Sequence, residues 1–476
     1  MKEKYDLPRA GLILALGLGL GAEANLLLYG QKPGLGWTLF LLTLPFVLLL
    51  VLRRCGIRPC WSSLAPLLGA YAFFAVSLTV RSSEFVTRLN AVACLLLGAL
   101  IVRFALSGRL RDLRLAEILT IPFSLFNASL YKATPLVTEA TKSLQNTDYR
   151  RKSAPLLRGL LLSSLVLLLF VPLLISADAV FAKRVMDLLY WLQPESWREQ
   201  AGRVGLLVVT FWLTVGSLVH ALTARHCTDL PCEEKNLPLG FIETMTVLSS
   251  VALVFGAFLS VQLTYLFGGA ARVISVPGLT YAEYARRGFA ELVTVSVLTL
   301  ALTLCLKAFT RRVGKQAGGF SALATVIIAE TLILLGSAWN RMTAYEAAYG
   351  ATQTRLHVDV FIVWLGIALL WLFFTLWSRT LSARFAVGGV VCILGFVASL
   401  NVINPDALMV CRNSFHWSEK GNLDYKALML LSDDANSEIA LLCRKLPDGE
   451  ARRALEKELL QRKTAPKDWQ SWHVRR

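Results

Sequence analysis

The chain is poor in charge. Only 17% of its 476 residues are Asp, Glu, Lys or Arg, while 55% are hydrophobic. A soluble domain carries roughly a quarter of its residues charged, so composition argues against a soluble globular protein. Acidic residues are the scarcer sign, 32 against 49 basic, for a formal charge of +17. Several chemical motifs are also missing. There is no G-x4-G-K-[ST] loop, no H-E-x-x-H and no G-x-S-x-G, which removes the familiar phosphate-cradling, zinc-peptidase and serine-hydrolase arrangements. No small-residue cleavage site follows the first apolar stretch, so the segment after Lys2, Lys4 and Arg9 is expected to persist as a first helix. No basic stripe carries interleaved aromatics, so nucleic acid is not an expected partner.

What the chain has instead is apolar runs near twenty residues, the length a bilayer core demands of a helix. Backbone groups in lipid must be satisfied within each segment. The runs 10–29, 34–52, 61–80, 85–106, 156–175, 203–223, 240–267, 289–309, 320–339, 358–377 and 385–402 are candidate spans. They predict an all-α, polytopic transmembrane helical bundle of about 11–12 spans. The division expected is a multi-span membrane domain over 1–402 and a soluble helical tail over 403–476, with the lipid bilayer as the first partner. The glycine run "GLGLGAEAN" lies inside the first span and suits small-residue helix packing. Segment 115–131, "LAEILTIPFSLFNASLY", contains Glu117 and Pro122 and is left as a span, a re-entrant piece or an interfacial helix.

Loop charge sets orientation. If 115–131 does not cross, the N-terminus, 53–60, 107–155, 224–239, 310–319 and 378–384 share the side rich in Lys and Arg, which is then cytoplasmic. The other side receives 30–33, 81–84, 176–202, 268–288, 340–357 and the tail. Segment 177–200 places Phe181, Val185, Leu188 and Leu192 on one face, as a helix lying in the membrane interface or capping the bundle does. In the tail, Leu423, Ala427, Leu428 and Leu431 mark an amphipathic series. Ser432 is a candidate cap before Ile439 and Leu442, and a further helix carries Ala451, Leu455 and Leu459.

Three polar motifs flank the last spans: "GLTYAEYARRGFAEL" (278–292), "WNRMTAYEAAYGATQTRLHVD" (339–359) and "NVINPDALMVCRN" (401–413). All three are expected on one extracytoplasmic mouth. In the first, a helix sets Glu283 one turn from Arg287 and Arg287 one turn from Glu291, while Tyr281, Tyr284, Gly288 and Glu291 share a second face; Arg286 is a further candidate. In the second, Arg341, Tyr345 and Tyr349 form a stripe, Gly350 can end the helix and Arg355 returns toward the next span. In the third, Asn404 and Asp406 are the polar candidates. Tyrosine and arginine at a headgroup boundary are ordinary anchors, but their convergence with acidic groups marks a candidate ligand site. Glu330 lies mid-span, where a charged carboxylate costs about 3 kcal/mol, so it is expected to be neutral, paired or beside water.

The loops "CGIRPC" (55–60) and "CTDLPC" (227–232), with His226, have looser spacing than a zinc knuckle. Reduced cytoplasmic thiols are the expectation, with no metal and no cofactor. Cys411 and Cys443 are candidates to pair if the tail is external.

The motifs "SADAVFA" (176–182), "QLTYLFGG" (262–269), "TYAEYARRGF" (280–289), "SAWNRMTAYEAAYGATQTR" (337–355), "NPDAL" (404–408) and "LDYKALMLLSDDA" (423–435) resemble a bacterial membrane family known as domain of unknown function 4173. The resemblance covers about residues 155–440, with a family-like membrane core over about 155–402. It implies a polytopic bacterial membrane protein with a helical tail, and no assigned activity. Members continue after "NPDAL" with an alanine–arginine–tyrosine–asparagine run, where this chain has Val410, Cys411, Arg412 and Asn413.

Three functions follow as expectations. The first is a non-enzymatic binding, sensing or scaffold protein that takes a lipid, an envelope component or a membrane protein partner at its outer mouth. The second is a secondary transporter using Glu330 as coupling carboxylate. The third is an enzyme on a lipid-linked envelope substrate.

Overall fold

The computed structural model describes residues 10–106, 110, 113, 115–144, 174, 178–191, 195–223, 239–266, 289–310, 315–378, 384–420, 423–464 and 468–474. Within them the chain forms α1 (Ala10–Leu27), α2 (Leu35–Arg54), α3 (Trp61–Val80), α4 (Glu84–Phe104), α5 (Leu115–Leu144), α6 (Ala179–Trp191), α7 (Glu195–Thr223) and α8 (Phe241–Leu266). There follow α9 (Phe289–Phe309), α10 (Lys315–Tyr349), α11 (Gln353–Trp377), α12 (Phe385–Ile403), α13 (Pro405–Lys420), α14 (Tyr425–Met429), α15 (Asn436–Lys445) and α16 (Glu450–Thr464). No strand occurs among the described residues.

Ten of these helices, α1–α4 and α7–α12, are long and apolar enough to cross a membrane. They match ten of the eleven runs expected. Nearly all of the remaining run, 156–175, lies outside the described residues. The protein is an all-α polytopic helical bundle. Expected span 320–339 is the middle of α10, which continues unbroken to Tyr349, so Arg341, Tyr345 and Tyr349 ride on the same helix as Glu330.

Large apolar side chains left uncovered face the direction lipid must fill. On α8, Ile242, Leu253, Val254 and Val261 are all more than half exposed, which water would penalise and a bilayer does not. On α6, Asp178 caps the first turn, accepting from the amides of Val180 (2.7 Å) and Phe181 (3.0 Å). Val180 and Phe181 are exposed.

Small residues set the helix contacts. A Cβ on Gly17 of α1 would fall 2.6 Å from Val215 of α7, and one on Gly21 would fall 3.0 Å from the Leu207 carbonyl. Trp364 and Trp371, seven residues apart on α11, lie over Gly395 and Gly388, seven apart on α12. Their indoles donate to Ser399 Oγ (2.9 Å) and the Phe385 carbonyl (3.2 Å). Van der Waals fit of this kind replaces the hydrophobic drive that is missing between helices in lipid. Helix α12 thereby joins two groups of spans, packing on α11 from one and on α4 and α5 from the other.

Backbone contacts sort the turns by face. The Leu35 amide donates to the Trp472 carbonyl (3.0 Å) and the Val474 amide to the Thr79 carbonyl (2.9 Å). The Tyr29 hydroxyl donates to the Glu199 carbonyl (3.0 Å). The α1–α2 loop, the α3–α4 turn, the α10–α11 turn, the start of α7 and the segment after Pro405 therefore share one face, called here the tail face. The α2–α3 turn lies opposite, where the Cys60 amide meets the Ala105 carbonyl at the end of α4 (3.0 Å). Helix α5 carries Pro122 and Pro135 and is not among the ten spanning helices. Its Lys132 ammonium donates to Thr223 Oγ1 (2.8 Å), at the α7 end away from the tail face.

Candidate functional site

The tail packs its own apolar cluster. Leu428, Leu431, Ile439, Leu442 and Leu455 are buried together with Met409 and Val410 of α13 and with Ala351 and Leu356 at the α10–α11 turn. The amphipathic series expected there thus faces inward. Burial also pushes the Cys443 thiol upward from the ordinary thiol range. The expected Cys411–Cys443 bond is not formed: both thiols are free, Cys443 buried in this cluster and Cys411 exposed on the outside of α13.

Beneath this cluster lies a polar node. Asn404 sits between α12 and α13 at φ 54°, ψ 79°. Among non-glycine residues, asparagine tolerates this left-handed region well, and the bend turns α13 back over the bundle. Its side-chain amide donates to the Asp434 carbonyl (3.0 Å). Asp406, in the first turn of α13, is 1% exposed. One of its oxygens accepts from Gln353 Nε2 (2.7 Å). The other accepts from the Ser432 amide (3.1 Å) and, very closely, from the Ser432 hydroxyl.

Asp434, 2% exposed, reaches the α3–α4 turn. Its carboxylate accepts from the Ser82 amide (3.0 Å to each oxygen), the Ser82 hydroxyl (3.1 Å) and the Ser83 amide (3.3 Å). Burial pushes this carboxyl above the usual carboxylate range, opposed by the Ser82 and Ser83 bonds and by the nearby Arg81 charge. Arg81 is itself buried and donates through Nε (2.8 Å) and Nη2 to the Asn401 carbonyl. The Asn401 side chain exchanges amide bonds with Asn90 of α4 (2.9 and 2.6 Å). Buried polar groups are tolerable only when paired; in this node the Asp406–Gln353 and Asp434–Ser82/Ser83 bonds link the membrane bundle to the chain beyond it, and the Arg81–Asn401 and Asn401–Asn90 bonds join spans to one another.

The second motif borders the node. Tyr345 and Tyr349 stack edge-to-face at 5.0 Å, and the Arg355 guanidinium lies 4.0 Å over the Tyr345 ring. Arg355 also donates to the Gly350 carbonyl (2.5 Å), closing the C-terminus of α10. Gly350 takes φ +79°, and a Cβ there would stand 2.9 Å from Asn413 Oδ1. Asn413 clamps the neighbouring Ala351, accepting from its amide (2.8 Å) and donating to its carbonyl (3.0 Å). Arg412 joins Glu346 of α10 (2.6 Å) and Asp359 of α11 (3.5 Å).

Of the residues expected at the mouth, Asn404 and Asp406 face the tail and are buried in internal bonds. Arg341, Tyr345 and Arg355 are half-buried, and Tyr349 is exposed. Glu291 is exposed in the first turn of α9. Tyr281, Glu283, Tyr284, Arg286 and Arg287 lie outside the described residues, as do Cys227, Cys232 and His226. Glu330 is remote from the node. Its carboxylate packs against Gly256 of α8, and among the described residues its Oε2 has no hydrogen-bond partner.

Residues missed by sequence reasoning include Arg81, Ser82, Ser83, Gln353 and Asp434. Arg81 resembles any snorkelling arginine at a span end. The serines and Asp434 carry no local pattern, because what pairs them is a separation of about 350 residues.

No curated protein and no solved structure matches the chain. The profile of a domain of unknown function, DUF4153, matches residues 68–442. This corrects the family number that the motifs suggested. The match begins upstream of every motif on which that resemblance rested, and takes in the α3–α4 turn that holds Arg81, Ser82 and Ser83. The chain belongs to the DUF4153 family, an assignment that brings no activity with it.

Proposed function

We propose that this integral membrane protein is a non-enzymatic sensor or scaffold whose tail, residues 403–476, is held on the membrane bundle by the polar node and works as a reversible latch. One observation carries the proposal. The acidic groups Asp406 of "NPDAL" and Asp434 of "LDYKALMLLSDDA" are spent on docking the tail rather than on lining an open cleft. The opposite face carries Arg53 and Arg54 at the end of α2 and Arg58 in the α2–α3 turn. The positive-inside rule then makes the tail face extracytoplasmic and the tail available to a lipid, an envelope component or a membrane protein partner. The test compares the proteins that co-purify from native membranes with the full chain and with Asp434→Ala. A changed set supports the latch, and identical sets with an undocked tail overturn its signalling role.

A second reading, a secondary transporter, is favoured by Glu330, a carboxylate within a span with Oε2 unbonded to any described residue. Proton-linked uptake lost in Glu330→Gln and retained in Asp434→Ala would establish it in place of the latch.

A further inference from the structure

A groove of about 480 Å³ runs between α3 and α12 and ends at the α3–α4 turn. Its walls include Gly69, Phe73, Val76 and Val80 from α3 and Val402 from α12, with Arg81 at one end. Phe73, Val76 and Val402 are between 43% and 74% exposed. Both helices are membrane spans, so the medium beside the groove is hydrocarbon, and an apolar chain is what such a wall accepts. The polar end differs. Arg81 is 3% exposed, donates to the Asn401 carbonyl and lies near the Asp434 carboxylate, so its guanidinium is fixed at this end of the groove. An arginine fixed in this way suits a phosphate, and its level at the end of α3 is where headgroups lie. The volume is in the range of small-molecule sites.

From these features we infer that the α3–α12 groove binds one anionic phospholipid, with an acyl chain along Gly69–Val80 and its phosphate toward Arg81. The occupant is a bilayer lipid and not a peptide, because the lining is helical, with its backbone bonded within α3 and α12, and offers no row of free backbone donors and acceptors. The inference shares Arg81 with the node that holds the latch, but lipid retention and tail docking are separate measurements, so either can fail alone.

The experiment uses the full chain in detergent and native mass spectrometry with added dioleoylphosphatidylglycerol or dioleoylphosphatidylcholine. Gly69 provides the key variant, because a Cβ placed there meets nothing within 4 Å. Gly69→Trp should therefore fold and fill the groove. Wild type should retain the anionic lipid at least tenfold over the zwitterionic one, and Gly69→Trp should lose that retention. Arg81→Lys should keep the bound chain while lowering the anionic preference. Equal retention of both lipids by wild type, or retention unaffected by Gly69→Trp, overturns the site. A Gly69→Trp effect confined to loss of a dimer would assign the groove to a second copy instead, and overturns it equally. Unchanged thermal stability of Gly69→Trp without added lipid guards against misfolding as the cause.

Discussion

Replacing Asp434 with alanine removes the acceptor for the Ser82 and Ser83 amides at the α3–α4 turn. A buried donor left without a partner costs about 1–3 kcal/mol. Two such donors, at the lower end because water enters once the tail loosens, amount to about 2–3 kcal/mol. The docked-to-undocked ratio should then fall roughly 30- to 150-fold. Hydrogen exchange of the full chain in detergent reads this directly. Amides of 82–83 and of 431–436 should exchange faster by that factor, while those in the middle of α3 should not change. Asp434→Asn keeps one acceptor oxygen and should fall between wild type and alanine. Ser437→Ala, at an exposed site in the same segment, should match wild type. Unchanged protection at Ser82 and Ser83 in Asp434→Ala would refute the reasoning, since the carboxylate would then not be what holds the turn.

Three further outcomes follow from the packing and the charges. Gly395→Ala places a Cβ about 2.1 Å from the Trp364 ring. Overpacking should outweigh the helix-propensity gain by about 1–2 kcal/mol, seen as a lower melting temperature than wild type or Gly389→Ala, where a Cβ has open space. Arg412→Ala leaves Glu346 and Asp359 facing each other. Arg412 is itself 44% exposed, so solvent screening limits the loss to about 1 kcal/mol, and adding Glu346→Gln should recover part of it in a thermal-shift cycle. A maleimide applied to folded protein should label Cys411, which is exposed, and spare Cys443, which is buried. Labelling of Cys443 at the rate of Cys411 would contradict the tail cluster.

The spans were legible because hydropathy acts locally, and ten runs of about twenty apolar residues became ten helices. The stripe Arg341–Tyr345–Tyr349 was legible for the same reason, helical spacing within one element. What the motifs do was not legible. Asn404 and Asp406 have the composition of an open polar site, yet Ser432, Asp434 and Gln353 consume their bonds, and those partners come from a turn about 30 residues on and from the start of α11. The departure at 410–413 from the expected run also proved informative. Arg412 and Asn413 are the two residues of that stretch that bind Glu346 and Ala351.

The central claim is that the tail returns to the bundle on the face of the first loop. Ser471 Oγ lies 3.1 Å from the Lys32 amide, so Lys32→Cys with Ser471→Cys is the pair to join, in a background where the nine native cysteines are serine. A short thiol cross-linker applied to native membranes should link 32 to 471 within one chain. It should leave Arg58→Cys with Ser471→Cys unlinked, because the α2–α3 turn is on the opposite face. Linking of 58 with 471, or none between 32 and 471, would contradict the account.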